Sequence, residues 1–210
     1  MRLPFIDSYQ VCGISSRFYS ARPDLYQQAM NCARLAGGST LIGGQKSVET
    51  VAAYMLLALY PVPARKWEED RSWVYLGLAI RYAHRSCMYV SVGLTLSRRS
   101  IATDINLHHP HTVQPENEQH AREMLNRTRL WLNCFNVDRS MASQYGKAPI
   151  ISNTDYVACH SEFWYKSSPY NIPDIDIHLC GYNAELKALA DYRYTIFSDP
   201  EHPVGLNKVS

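Results

Sequence analysis

The sequence predicts an all-α fold, a multi-helix bundle, on three observations. Apolar residues recur near every 3.6 positions over long runs, helix start and stop signals bracket those runs, and neither βαβ alternation nor an internal repeat occurs. The clearest run is Asn126 to Pro149, with Met124, Thr128, Trp131, Phe135, Asp138, Ala142 and Tyr145 on one stripe, widened by Leu125, Leu132, Cys134 and Met141. Gly146 suits the left-handed position beyond its end, and Pro149 cannot extend it. Asp138 falls inside the apolar arc and therefore needs a donor or a gap at the helix edge, because an unpaired buried charge is costly.

Taken in order, residues 1 to 20 offer Phe5, Ile6, Val11, Ile14, Phe18 and Tyr19 as apolar contacts without a clear helix start. Arg22-Pro23-Asp24 then opens a helix that the Gly37-Gly38 pair is expected to end. Ser47 caps a helix from Val48 to Tyr60, with Glu49 in its first turn, and Pro61 and Pro63 follow. Val48, Val51, Ala52, Met55, Leu56 and Leu59 line one side of it and Ala53, Leu57 and Tyr60 turn towards the other, which predicts a central place in the bundle. Trp67-Glu68-Glu69-Asp70 starts a further helix facing the core through Trp73, Val74, Gly77, Ile80 and Ala83. Gly77 costs helix propensity there and marks a close crossing.

Between residues 82 and 100 the helical period blurs, and residues 101 to 109 resume it before Pro110. Residues 150 to 181 are rich in prolines and turn formers, with Trp164, Tyr165 and Tyr170 expected to cover the bundle edge. Tyr182 to Tyr194 forms the last amphipathic helix, and residues 195 to 210 read as a tail.

Composition narrows the function. A formal charge of +2, with scattered lysines and arginines, gives no footprint for a nucleic acid backbone. The six cysteines, Cys12, Cys32, Cys87, Cys134, Cys159 and Cys180, include no Cys-x-x-Cys pair and fit free thiols. The first residues lack a signal-peptide pattern, and no window has the apolar length of a membrane span. His108, His109 and His111 fall short of a metal site, because adjacent imidazoles cannot easily aim together and a zinc site wants three or four ligands. Cys134 and Asp138 share a helix face, yet nothing signals the aligned histidine and oxyanion pocket of a thiol enzyme. Gly37-Gly38, Gly43-Gly44 and Lys46-Ser47 lack the spacing of a phosphate loop. The chain is expected to be noncatalytic.

Residues 46–81, 101–110 and 127–149 together resemble the regulatory middle region of fungus-specific transcription factors that carry a binuclear zinc-cluster DNA-binding domain. The resemblance rests on Asp70-Arg71-Ser72-Trp73 with Leu76-Gly77-Leu78-Ala79-Ile80-Arg81, and on Trp131 with Phe135, Asp138-Arg139 and Gly146-Lys147. It covers roughly residues 4–194, which places one regulatory domain at 1–194, and implies fold-determining roles for Asp70, Arg71, Trp73, Gly77, Arg81, Trp131, Phe135, Asp138, Arg139 and Gly146. Arg71, Arg81 or Arg139 is then the expected donor to Asp138.

The same resemblance implies transcriptional control through a small-molecule effector or regulatory proteins, in the nucleus when the domain is part of a full-length factor. A stand-alone helical interaction protein or truncated paralogue, cytoplasmic or nuclear, is the alternative; an all-α enzyme is a third. Zinc is implied only for a cysteine-cluster domain that this sequence does not contain, so the chain is expected to be a truncated form that does not read DNA directly and to need no cofactor of its own. The family pattern also passes almost directly from Ala79-Ile80-Arg81 to Ala102-Thr103-Asp104. Residues 82–100 are therefore expected to be a retained intron or a loop insertion, since joining Arg81 to Ile101 restores the continuous helix pattern LGLAIRIATDINLH.

Overall fold

The computed structural model describes residues 6–44, 46–85 and 115–197. Helices and short turns account for all the regular structure among them, as the periodicity predicts. They fall into two compact units, the first ending at Gln114 and the second beginning at Pro115.

The first unit holds α1 (Ile6–Ser15), α2 (Leu25–Ile42), α3 (Val48–Leu59) and α4 (Ser72–Arg85). The α3 helix packs against α1, α2 and α4, as expected of a helix apolar on most sides. Ser47 caps it by accepting the Thr50 N–H at 3.2 Å. Val51, Ala53, Tyr54, Met55, Leu57 and Ala58 are buried around its circumference, whereas Leu59 and Tyr60 lie exposed at its end. Tyr54 stacks on Tyr82 at 5.6 Å between ring centroids, and its hydroxyl donates to the Gly37 carbonyl of α2 at 2.8 Å.

Three boundaries in this unit differ from the sequence expectation. The α1 helix forms where the sequence shows apolar contacts but no clear helix start; packing against α2 and α3 supplies what propensity does not. A Cβ on Gly13 would stand 2.9 Å from Met30 Sδ, so the missing side chain sets how closely α1 and α2 approach. The α2 helix runs through Gly37 and Gly38 to Ile42, because Gly37 is buried against α3 rather than placed at a cap. Before α4, Trp67–Glu69 forms a 3-10 turn, and the helix itself begins at Ser72. There Asp70 accepts both the N–H and the hydroxyl of Ser72, at 2.9 and 2.6 Å. Leu76, Ala79, Ile80 and Ala83 form the inner face of α4, while Val74 is exposed, contrary to its expected place in the core.

The expected insertion point after Arg81 lies within α4, since Tyr82 and Ala83 continue the buried face. Residues 86–100, the helical stretch expected at 101–109 and the three clustered histidines lie outside the described residues, as does the tail beyond Phe197.

The second unit is built on α5 (Glu118–Tyr145), with a single helical turn α6 (Tyr156–Cys159), a 3-10 turn (Trp164–Lys166) and α7 (Pro173–Ile196). Asn117 caps α5 through the His120 N–H at 2.8 Å, and Gly146 ends it in the left-handed conformation at φ 63°, ψ 29°. The α7 helix starts nine residues earlier than its apolar pattern suggests. Pro173 occupies its first turn with Asp174 and Asp176, a start signal hidden in a segment that otherwise reads as turn-rich.

Candidate functional site

The inner face of α5 carries polar groups at positions where burial demands partners. Trp131, Leu132, Cys134 and Phe135 are all at most 1% exposed, and Asp138 among them is 0% exposed. The Trp131 indole N–H donates to Asp155 Oδ1 at 3.1 Å, and the same oxygen accepts the Ala158 N–H at 2.9 Å, capping α6. Two helix turns further on, Asp138 Oδ2 accepts the N–H of Ile151 at 2.8 Å. Arg139 Nη2 donates to the carbonyl of that same Ile151 at 2.7 Å.

The donor to Asp138 is thus a loop amide rather than an arginine. Arg71 and Arg81 are exposed on the first unit, and Arg139 spends its guanidinium on the Ile151 carbonyl and on the Phe135 ring, 4.7 Å from its centroid. Asp138 Oδ1 and Arg139 Nε are left buried without hydrogen bonds. Burial raises the pKa of Asp138, opposed by the amides of Ile151 and Ile150 and by the Arg139 charge. Burial likewise lowers that of Arg139, against the attraction of Asp138, Cys159 and Asp155.

A second cluster joins α5 to α7. Arg129 grips Asp176 with two bonds, Nε to Oδ1 at 2.7 Å and Nη2 to Oδ2 at 2.9 Å. Asn171 Nδ2 and the Ile172 N–H, both at 2.9 Å, complete the carboxylate's shell. Desolvation would raise the Asp176 pKa, but these bonds and the Arg129 charge outweigh it and hold the carboxyl below its ordinary range. Trp164 and Tyr170 are half-buried at this edge, under Arg129 and Arg122 at 5.7 and 5.1 Å from the ring centroids, and Tyr165 is half-buried too. Deeper in the seam, Asn183 donates to Asn136 at 3.1 Å, Asn136 donates to the Leu179 carbonyl at 3.3 Å, and Ser161 donates to Asn183 at 3.0 Å.

The ten residues singled out from the sequence divide between the units. Asp70, Arg71, Trp73, Gly77 and Arg81 lie on the first, with Gly77 buried, Trp73 half-buried and the two arginines exposed. Trp131, Phe135, Asp138, Arg139 and Gly146 converge along α5 and its end. Sequence reasoning missed Arg129, Asp176, Asn136, Asn183, Ser161 and Asp155. A polar residue such as Asn136 next to Phe135 in an apolar run was the signal available for a buried network, as Pro173 with two acids was for the α7 start.

Burial, reinforced by the Asp138 charge, pushes the Cys134 thiol up to about 12, far from a thiolate nucleophile. Cys12, Cys32, Cys134, Cys159 and Cys180 are free thiols. Among the described residues no three His, Cys, Asp or Glu side chains are gathered to hold a metal, and no helix is long and apolar enough to cross a membrane. Two open surface depressions lie along Glu118, Arg122 and Asn126 and along Pro61 to Lys66 beside Asp70. What α5 organises is a packed, hydrogen-bonded scaffold.

A family model described as the fungal specific transcription factor domain matches residues 19–174. No curated protein and no solved structure gives a significant match.

Proposed function

Because the chain belongs to the fungal specific transcription factor domain family, we propose that it is a noncatalytic regulatory domain that controls transcription through contacts with a small-molecule effector or regulatory proteins. The observation that carries this reading is the extent of the family match, which runs from before α2 to the first turn of α7 and so takes in all of α5 and the Asp138, Arg139 and Ile151 cluster, while Asp176, the partner of Arg129, lies just past its end. The physical requirement is two packings whose populations a bound partner biases. Nuclear localisation follows for a full-length factor of this family. Neither a metal nor a cofactor is expected in this chain, and direct reading of DNA is assigned to a different domain of such factors.

The test is a tethering assay in fungal cells. The full chain is placed between a heterologous DNA-binding domain and an activation domain, and reporter output is compared with that of the same fusion carrying an unrelated helical domain of equal length. A change in output specific to this chain supports the regulatory reading. Output equal to the control across growth conditions, with partners recovered by the isolated chain, would favour a stand-alone interaction protein instead.

A further inference from the structure

We propose that residues 148–154 form a latch that α5 holds shut at the one residue Ile151, and that this latch opens as a unit while α5 remains folded. The inference rests on the regulatory reading for its purpose, since it names the two-state element such a domain requires. Its evidence is independent.

The latch is hinged and thinly anchored. Gly146, at φ 63°, turns the chain out of α5, and the Lys147 N–H returns to the Ala142 carbonyl at 2.9 Å, so the latch starts at Ala148. Ile151 is 2% exposed, whereas Ala148, Ile150, Ser152, Asn153 and Thr154 are exposed. Segments with one apolar anchor and mostly solvated neighbours open locally at lower free energy than the core beneath them. At the far end, Asp155 is tied to the Trp131 indole and to α6, whose Val157 and Ala158 are buried, which limits the moving part to the stretch before it.

The clamp itself is imperfect in a particular way. Asp138 and Arg139 commit one oxygen and one nitrogen to the two ends of the same residue, and each keeps a buried polar atom, Oδ1 and Nε, without a partner. Opening breaks two strong hydrogen bonds but lets water reach both orphaned atoms, so part of the cost of opening is returned. The charges around Asp138 are Arg139 beside it on α5 and, next to that guanidinium, Asp155 at the latch end. Removing the Asp138 charge should therefore tighten the latch, because an amide still accepts the Ile151 N–H while burial is no longer opposed by charge. Removing the Arg139 guanidinium strands both the Ile151 carbonyl and the Asp138 carboxylate.

Amide hydrogen exchange on the full chain tests this directly. In the wild-type chain, peptides covering 148–154 should exchange at least about tenfold faster than peptides covering 128–142, as expected for a local opening beneath the global one. Asp138→Asn should slow exchange of the latch and Arg139→Met should speed it, with the 128–142 peptides shifting less in both. Equal protection of latch and α5, or two variants that move both regions together, would overturn the proposal. Should Arg139→Met fail to fold, Asp138→Asn decides alone: slower latch exchange supports the latch, and unchanged or faster exchange sinks it. Because the readout needs no reporter gene, its failure leaves the transcriptional reading standing.

Discussion

Arg129 of α5 holds Asp176 of α7 through two parallel hydrogen bonds of 2.7 and 2.9 Å, with the carboxylate fully buried and the guanidinium 17% exposed. Breaking such a pair from one side leaves a charge in the interior, so Arg129→Met should cost about 3–5 kcal/mol in urea unfolding. Replacing both partners by apolar residues should cost much less, because no charge is then stranded. A double-mutant cycle measures the difference.

The two buried aspartates should drive stability in opposite directions with pH. Asp176 has its pKa depressed in the folded chain, so its contribution is present above the unfolded value of about 3.9 and is lost as pH falls through the folded one. Asp138 has its pKa raised, so its contribution is largest at low pH and declines as pH rises through the folded value. Asp176→Asn should flatten the acid limb of the stability curve, and Asp138→Asn should remove the decline on its alkaline side. Chemical denaturation at a series of pH values distinguishes them; two variants with the same pH profile would refute the assignment.

Two glycines should respond oppositely to alanine. Gly38 sits inside α2 with open space where a Cβ would go, and Gly38→Ala should stabilise by about 0.5–1 kcal/mol through helix propensity. Gly146 also has open space, but its φ of 63° makes Gly146→Ala destabilising by about 1–2 kcal/mol. Thermal melts of the pair separate backbone strain from packing, since neither methyl meets a neighbour.

The 82–100 segment makes a prediction about the transcript. Tyr82 and Ala83 are 9% and 1% exposed on the inner face of α4. If those codons are intronic, the mature chain carries Ile101 and Ala102 at the same two helix positions, again an apolar pair. Sequencing of full-length cDNA decides between the two: Arg81 joined to Ile101 would show a retained intron, and a transcript keeping the segment would establish it as a translated insertion.

How much of this was legible in the sequence depends on what each signal encodes. Periodicity located α2, α3, α4 and α5, and the Ser47 cap and Gly146 terminus read correctly because cap chemistry is local. The glycine pair at 37–38 misled because glycine serves close packing as well as termination, and only the neighbouring helix tells the two apart. Asp138 announced a need for a donor but not its identity. The Ile151 amide lies 13 positions away in a loop whose path no propensity predicts. Arg129 and Asp176, 47 apart, were invisible for the same reason.

The amide rung of Asn136, Asn183 and Ser161 gives the α5–α7 seam a property that apolar contacts lack. Aliphatic side chains tolerate a helix sliding a fraction of a turn along its neighbour, but these hydrogen bonds are satisfied only at one setting. The pair behaves like a keyed shaft: α7 is either home or a whole notch away, and intermediate positions are excluded. Replacing the rung with leucines would give a smoother and slipperier joint, able to drift where the native one must click.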